Sequence, residues 1–116
     1  MKQTIRLQTM LSEPGLAGEQ RLALFGLLAL GLVESLAGGS LSADEAVRLF
    51  FHGENCSFVH QQLQDQTADE AMSRGVQLPD LFDVLPAHVA QREFQRELAT
   101  IRSLCLTLLA EQRLAA

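Results

Sequence analysis

The sequence predicts an all-α protein: a single small domain of about five helices, with a buried apolar helix near its start and a long helix at its end. Three observations carry this reading. The run from Ala87 to Leu114 contains neither Gly nor Pro across 28 residues. Ser42-Ala43-Asp44-Glu45 and Thr67-Ala68-Asp69-Glu70 both have the spacing of a capping box, which marks helix starts. Only Thr4-Ile5-Arg6-Leu7-Gln8 alternates like a strand, and no second strand exists to pair with it.

Taken in order, residues 1–17 read as an N-terminal arm and residues 18–116 as the helical domain. Pro14-Gly15 breaks the chain, and a first helix follows from Gly18 to Ala37, closed by Gly38-Gly39. Apart from Arg21, Glu34 and Ser35, positions 21–37 are all apolar or Gly, so the helix has no polar face and is expected to be buried on most sides. Ala23, Gly26 and Ala29 recur at spacing three and offer a strip for close helix approach. Gly26 and Gly31 each cost about 1 kcal/mol of helix propensity relative to Ala and are expected to mark contact points.

Ser42 and Glu45 open a second helix whose stripe is Ala43, Ala46, Val47, Phe50 and Phe51. Gly53 is expected to end it, and Asn55 to cap a third through Val59 and Leu63. Thr67 would cap a fourth, stopped at Gly75. Leu78 to Pro86, with prolines at 79 and 86, reads as a hydrophobic connector turning Leu81, Phe82 and Leu85 to the core. In the last helix Phe94, Leu98, Ile101, Cys105 and Leu108 step by 4, 3, 4, 3, a heptad seam, while Leu104, Leu106 and Leu109 form a second apolar flank. At 1.5 Å per residue such a helix spans about 42 Å and overhangs a small globule. The sequence therefore predicts a homodimer, with the five seam residues as its interaction candidates.

Composition excludes several classes of function. The chain has 116 residues, 47% of them hydrophobic, and 9 Lys and Arg against 14 Asp and Glu, a net charge of −5. A domain this long buries about two thirds of its unfolded surface and needs no disulfide or metal staple. Without a Lys/Arg cluster nothing displaces counterions from a phosphate backbone, so nucleic-acid binding is not expected. The two cysteines, Cys56 and Cys105, read as reduced thiols in a cytoplasm. The most apolar run, Leu22 to Val33, is twelve residues and short of the ~20 of a membrane span. Ser35-Leu36-Ala37 resembles a signal-peptide cleavage site, but Glu13, Glu19 and Glu34 argue against a leader.

Chemistry-bearing residues are sparse. His52, Cys56 and His60 are spaced i, i+4, i+8 and on an unbroken helix would present three zinc ligands on one face. Gly53 and Asn55 interrupt that helix, and no fourth ligand is near, so no metal is expected. Cys56 in a first turn with His60 four residues on would suit an activated thiol, yet no acidic orienter or oxyanion-hole pattern accompanies the pair. Glu93 and Glu97 beside Arg92 and Arg96 read as a solvated charged face. Glu34, the one acid near the middle of the apolar helix, either is solvated near the helix end or, if buried, needs an arginine, Arg48 or Arg102. Nucleotide-binding and hydrolase motifs are missing, so no cofactor and no catalytic residue is assigned.

Leu27-Leu28-Ala29-Leu30-Gly31-Leu32-Val33-Glu34-Ser35-Leu36, followed by Gly38 and Leu41-Ser42-Ala43-Asp44-Glu45-Ala46, resembles the start of a small bacterial family of uncharacterised proteins. Asp80 to Pro86 is similar to that family's acidic connector before a final long helix, and the resemblance runs from Arg21 to Gln112. Phe51-His52-Gly53-Glu54 departs from the proline-containing segment of the family. The resemblance implies an all-helical fold, a bacterial source and no assigned activity. The expectation is a non-enzymatic cytoplasmic protein acting through protein–protein contact. The alternatives are a toxin-neutralising (immunity) or chaperone-like protein, which would use acidic surfaces to meet a basic partner, and a thiol or zinc-dependent enzyme centred on Cys56.

Overall fold

The computed structural model describes residues 3–115, and the side chains of 3–112. Among these residues there are six α-helices, one π-helical turn and no strand: α1 (Leu7–Leu11), α2 (Gly18–Ala37), α3 (Ala43–Leu49), α4 (Gly53–Phe58), the π turn (Val59–Leu63), α5 (Gln66–Val84) and α6 (Ala87–Ala115). The all-helical architecture, the apolar helix near the start and the long last helix are as the sequence predicts.

Helix α6 is the backbone of the molecule. Its 29 residues, about 43 Å at helical rise, match the longest dimension of a body measuring 46 × 34 × 22 Å. It packs against both α2 and α5. The α2–α6 pair is antiparallel: Gly26 faces Leu108 and Leu109 near one end, and Glu34 pairs with Arg102 eight residues further along α2. Gly26 brings the helices together, since a methyl group on its Cα would stand 3.1 Å from Leu108 Cδ2 and 3.2 Å from Leu109. Ala29, also at this contact strip, is buried. Gly31 differs from expectation: nothing lies within 4 Å of its Cβ direction, and it is exposed.

The helix ends follow local chemistry. Gln20 Oε1 accepts from the Ala17 amide at 2.8 Å to open α2, and Gly39, at φ +83°, takes the left-handed turn that ends it. Ser42 and Glu45 make both halves of the capping box at 3.2 and 2.9 Å. Two expected caps are displaced. His52, not Asn55, caps α4, its Nδ1 accepting from the Asn55 amide at 3.4 Å. Asp65, not Thr67, caps α5, with Oδ1 accepting from Ala68 at 2.9 Å.

The largest departure is α5, which runs unbroken through Gly75 and Pro79 to Val84. Gly75 is a packing glycine: the Phe51 ring occupies the space its Cβ would need. Pro79 gives up one backbone hydrogen bond, but burial of Leu78 and Met72 on the same helix offsets the loss. Only Pro86 ends the helix, because the residue before a proline is pushed to extended backbone, and Leu85 sits at φ −108°, ψ 152°. As a result Phe82 remains largely exposed, with its ring edge-on to Phe94 at 5.2 Å, while Leu81 and Leu85 are half-buried.

The alternating Thr4–Gln8 stretch is no strand either, and residues 7–11 are helical. They form α1, and Leu7 and Leu11 are fully buried against the domain. The expected arm is thus docked, by a polar clamp rather than by pairing. Asn55, with no exposed surface, accepts from the Leu7 amide at 3.0 Å and donates to the carbonyls of Ile5 at 2.9 Å and Phe50 at 2.8 Å. His52 Nε2 donates to the same Ile5 carbonyl at 2.9 Å, and the Ile5 amide donates to Leu49 at 2.8 Å. With Nδ1 accepting from the Asn55 amide, Nε2 is the nitrogen that donates to the Ile5 carbonyl.

Candidate interaction surface

The five seam residues are not on the surface. Phe94, Leu98, Ile101, Cys105 and Leu108 are all buried within the chain, where α2 and α5 cover them. This corrects their assignment as interaction candidates: a heptad step specifies a helix neighbour, and here the neighbours are in the same molecule.

What α6 leaves outside is part of its second flank. Leu106 is 42% exposed, and Leu109 and Ala110 beside it line a shallow groove shared with α2. From α2 the groove receives Ala23 and Leu27, the latter 57% exposed. Leu24, one turn before Leu27, is exposed as well. On α2 the positions 20, 23, 24, 27 and 31 follow i, i+3, i+4, i+7, i+11, a single face turned away from the core. The expectation that α2 is buried on most sides therefore fails on this face. A helix with no polar side was read as a core helix, but the same pattern also describes a helix with one face inside and another unpartnered.

The strip is apolar over its length and polar at its ends. Glu19, Gln20 and Gln112 rim the groove at one end. At the other, Arg102, one of the two arginines named for a buried Glu34, donates from Nε to Glu34 Oε1 at 2.8 Å, although Glu34 is solvated. Both side chains are more than half exposed, so the pair contributes at most about 1 kcal/mol and serves more as a boundary to the apolar surface. By length and composition α2 also has the makings of a membrane span: it is twenty residues long and holds an eighteen-residue stretch with a mean hydropathy of 1.4, rather than the twelve apolar residues counted from Leu22 to Val33. A third of that stretch is buried inside the fold.

The His52, Cys56 and His60 constellation disperses. His52 is committed to the Ile5 clamp, and His60 turns outward to Asp69 at 3.1 Å. Among the described residues no three His, Cys, Asp or Glu side chains gather as metal ligands. Cys56 is half-buried, and burial first, then the charge of Asp69, pushes its thiol pKa up from 9.0. That is opposite in direction to an activated nucleophile. Burial raises Cys105 to about 11. Two carboxylates of the last helix pair with arginines: Glu97 accepts from Arg74 Nη1 at 3.0 Å, and Glu93 from Arg96 at 3.3 Å.

Fold and surface together define a compact all-helical protein built on an antiparallel helix pair that keeps one apolar face outside. The chain belongs to the family described as Protein of unknown function (DUF3969), whose model matches residues 19–114. As the resemblance implied, that family carries no assigned activity. No curated protein and no solved structure matches significantly.

Proposed function

We propose that this is a cytoplasmic, non-enzymatic protein that works through protein–protein contact, and that the α2–α6 face joins it to a second copy of the same chain. The observation that carries this is the apolar strip of Leu24, Leu27 and Leu106 on the outside of the tightest helix pair. Exposed apolar surface of this kind is costly unless another surface covers it.

A second copy suits the strip better than a charged partner. The chain carries −5 overall, so two copies repel except where charge is missing, and among the described residues Glu19 is the one charged residue lining the groove. A two-fold contact needs a surface that carries both the projection and its recess. Leu27 lines the groove together with the small residues Ala23 and Ala110, so each copy can seat its Leu27 against the other's alanines. Two helices about 30 Å long and together about 20 Å wide present about 600 Å² per subunit, roughly 1,200 Å² in all, the lower bound of a specific interface. Exposed Gly31 fits the same reading, since it permits close backbone approach at a position where this chain offers no neighbour.

Light scattering on Leu27→Glu tests the assignment. A negative charge in each copy's groove should convert a dimer to a monomer with helicity intact. Ile101→Asp provides the contrast: Ile101 is fully buried inside the chain, so its loss should unfold the monomer rather than separate two folded copies. A Leu27→Glu variant that stays dimeric would place the contact elsewhere and overturn the proposal.

A further inference from the structure

Away from the apolar face, α1, α2, α4 and the π turn enclose a polar cleft of about 390 Å³, within the size range of small-molecule sites. Its walls hold Arg21 from α2, Glu54 and Ser57 from α4, Gln61 from the π turn and Gln8 from α1, with Phe58 at its base. Two independent features set it apart. Arg21 Nε is sealed from solvent and donates to no protein group, and among the described residues Arg21 forms no ion pair, although Glu54 lines the same cleft. An unmatched guanidinium N–H is expensive, and the Nη groups of Arg21, unsealed and unpartnered among the described residues, are the donors left to meet an acceptor oxygen in the cleft. The second feature is the π turn itself, Val59–Leu63, which swings Gln61 and Gln62 to the cleft. Such turns are less stable than α-helix and recur at functional sites.

We propose that this cleft binds a free polar α-amino acid, with its carboxylate on Arg21 and its ammonium on Glu54. The charges select the ligand class. One cation and one anion make the cleft neutral, so a phosphate would meet the Glu54 carboxylate and a simple amine would meet Arg21, whereas a zwitterion satisfies both. Arg21 offers a planar donor fork, the usual partner of a carboxylate. The side chain of the ligand would lie among the amides of Gln8 and Gln61 and the Ser57 hydroxyl, which both donate and accept. Phe58 is only 7% exposed, which leaves little apolar wall for an aliphatic side chain.

The test is thermal denaturation with each of the twenty proteinogenic amino acids, with acetate, methylamine and inorganic phosphate as controls. A polar amino acid should raise Tm by about 5 °C at ten times its dissociation constant, and the three controls should not. Backbone amide shift mapping on the wild-type protein should place the bound amino acid at Gln8 and residues 54–62, independent of any variant. Arg21→Gln and Glu54→Gln, checked for unchanged helicity, should each weaken binding at least about tenfold. The proposal is overturned if no amino acid binds, if acetate or phosphate binds as tightly, if the shifts lie elsewhere, or if both folded variants bind as the wild type does.

Discussion

Replacing Gly75 with alanine tests whether α5 is one helix packed on the α3 end. On helix propensity alone the change should stabilise, by about 1 kcal/mol at a helix-interior position. Packing says the opposite. A methyl group on Gly75 would stand 2.5 Å from Phe51 Cζ and nearer still to two other ring carbons, while ordinary carbon contact needs about 3.5 to 4.0 Å. The ring must therefore retreat by roughly 1 Å. It has little room: Phe51 is 1% exposed and lies edge-on to Phe50, centroids 5.3 Å apart, and Phe50 in turn stacks on Phe25 at 6.1 Å. Overpacking of this kind costs about 1 to 3 kcal/mol. After the propensity gain, a net loss of up to about 2 kcal/mol remains, or up to roughly 10 °C in Tm for a domain of this size. Urea unfolding followed at 222 nm reads it directly as a lower midpoint at unchanged slope. Gly31→Ala is the matched control. Its methyl group meets nothing within 4 Å, so the isolated subunit should gain up to about 1 kcal/mol. Equal stabilisation by both substitutions would refute the packing argument and return Gly75 to the helix terminus that the sequence alone suggests.

Asn55→Ala should cost about 2 to 4 kcal/mol, because it strands the buried Leu7 amide and Phe50 carbonyl together; trypsin should then cut after Arg6 in the otherwise folded protein, and an uncut chain would show that the clamp is dispensable. Cys56 should alkylate more slowly than a free thiol at pH 8, since burial and Asp69 raise its pKa; rapid labelling at pH 6 would instead reveal an activated thiolate and revive the enzyme alternative. Cys105 keeps its proton to about 11 in the folded state against 9.0 when unfolded. Its contribution to stability is therefore complete below pH 9 and lost as pH rises toward 11, which base titration of the unfolding midpoint should show as a fall absent from Cys105→Ala. Ser42→Ala removes the acceptor for the Glu45 amide and should cost about 1 kcal/mol by the same urea assay.

Much of the fold was legible because local chemistry and tertiary structure agree. The Ser42–Glu45 box, the Gly38-Gly39 stop and the long uninterrupted last helix all follow from short-range spacing. The failures share one cause, tertiary packing overriding a local signal. Gly75 and Pro79 look like helix breakers until Phe51 is placed over the glycine and Leu78 and Met72 are buried. Asn55 has the identity of a cap, yet its side chain is used 48 to 50 residues away, holding Ile5 and Leu7. That distance also explains why Leu7 and Leu11 read as part of a loose arm: five helical residues have no amphipathic pattern to recognise.

The surface was harder to read than the core. Five residues at heptad spacing announce a helix contact but not whether the other helix is in the same chain, and the intramolecular answer moved the candidate interface to Leu24, Leu27 and Leu106. One signal was present: an apolar helix lacking any polar side must either be surrounded or leave a face for something else. The helices packed on α2 cover its other sides and leave the face of positions 20, 23, 24, 27 and 31 without a neighbour. The cleft around Arg21 left no trace in the sequence, because its residues come from four separate elements.

The claim that the α2–α6 face joins two copies is tested most directly by the mass of the wild-type protein in solution. Size exclusion with light scattering and refractive-index detection suits a chain that has no Trp or Tyr. The expected result is a species of twice the 12.7 kDa chain mass that persists on dilution to about 1 μM, the affinity range of an interface this size. A single species at 12.7 kDa across the dilution series would contradict it and leave the apolar strip without the partner assigned here.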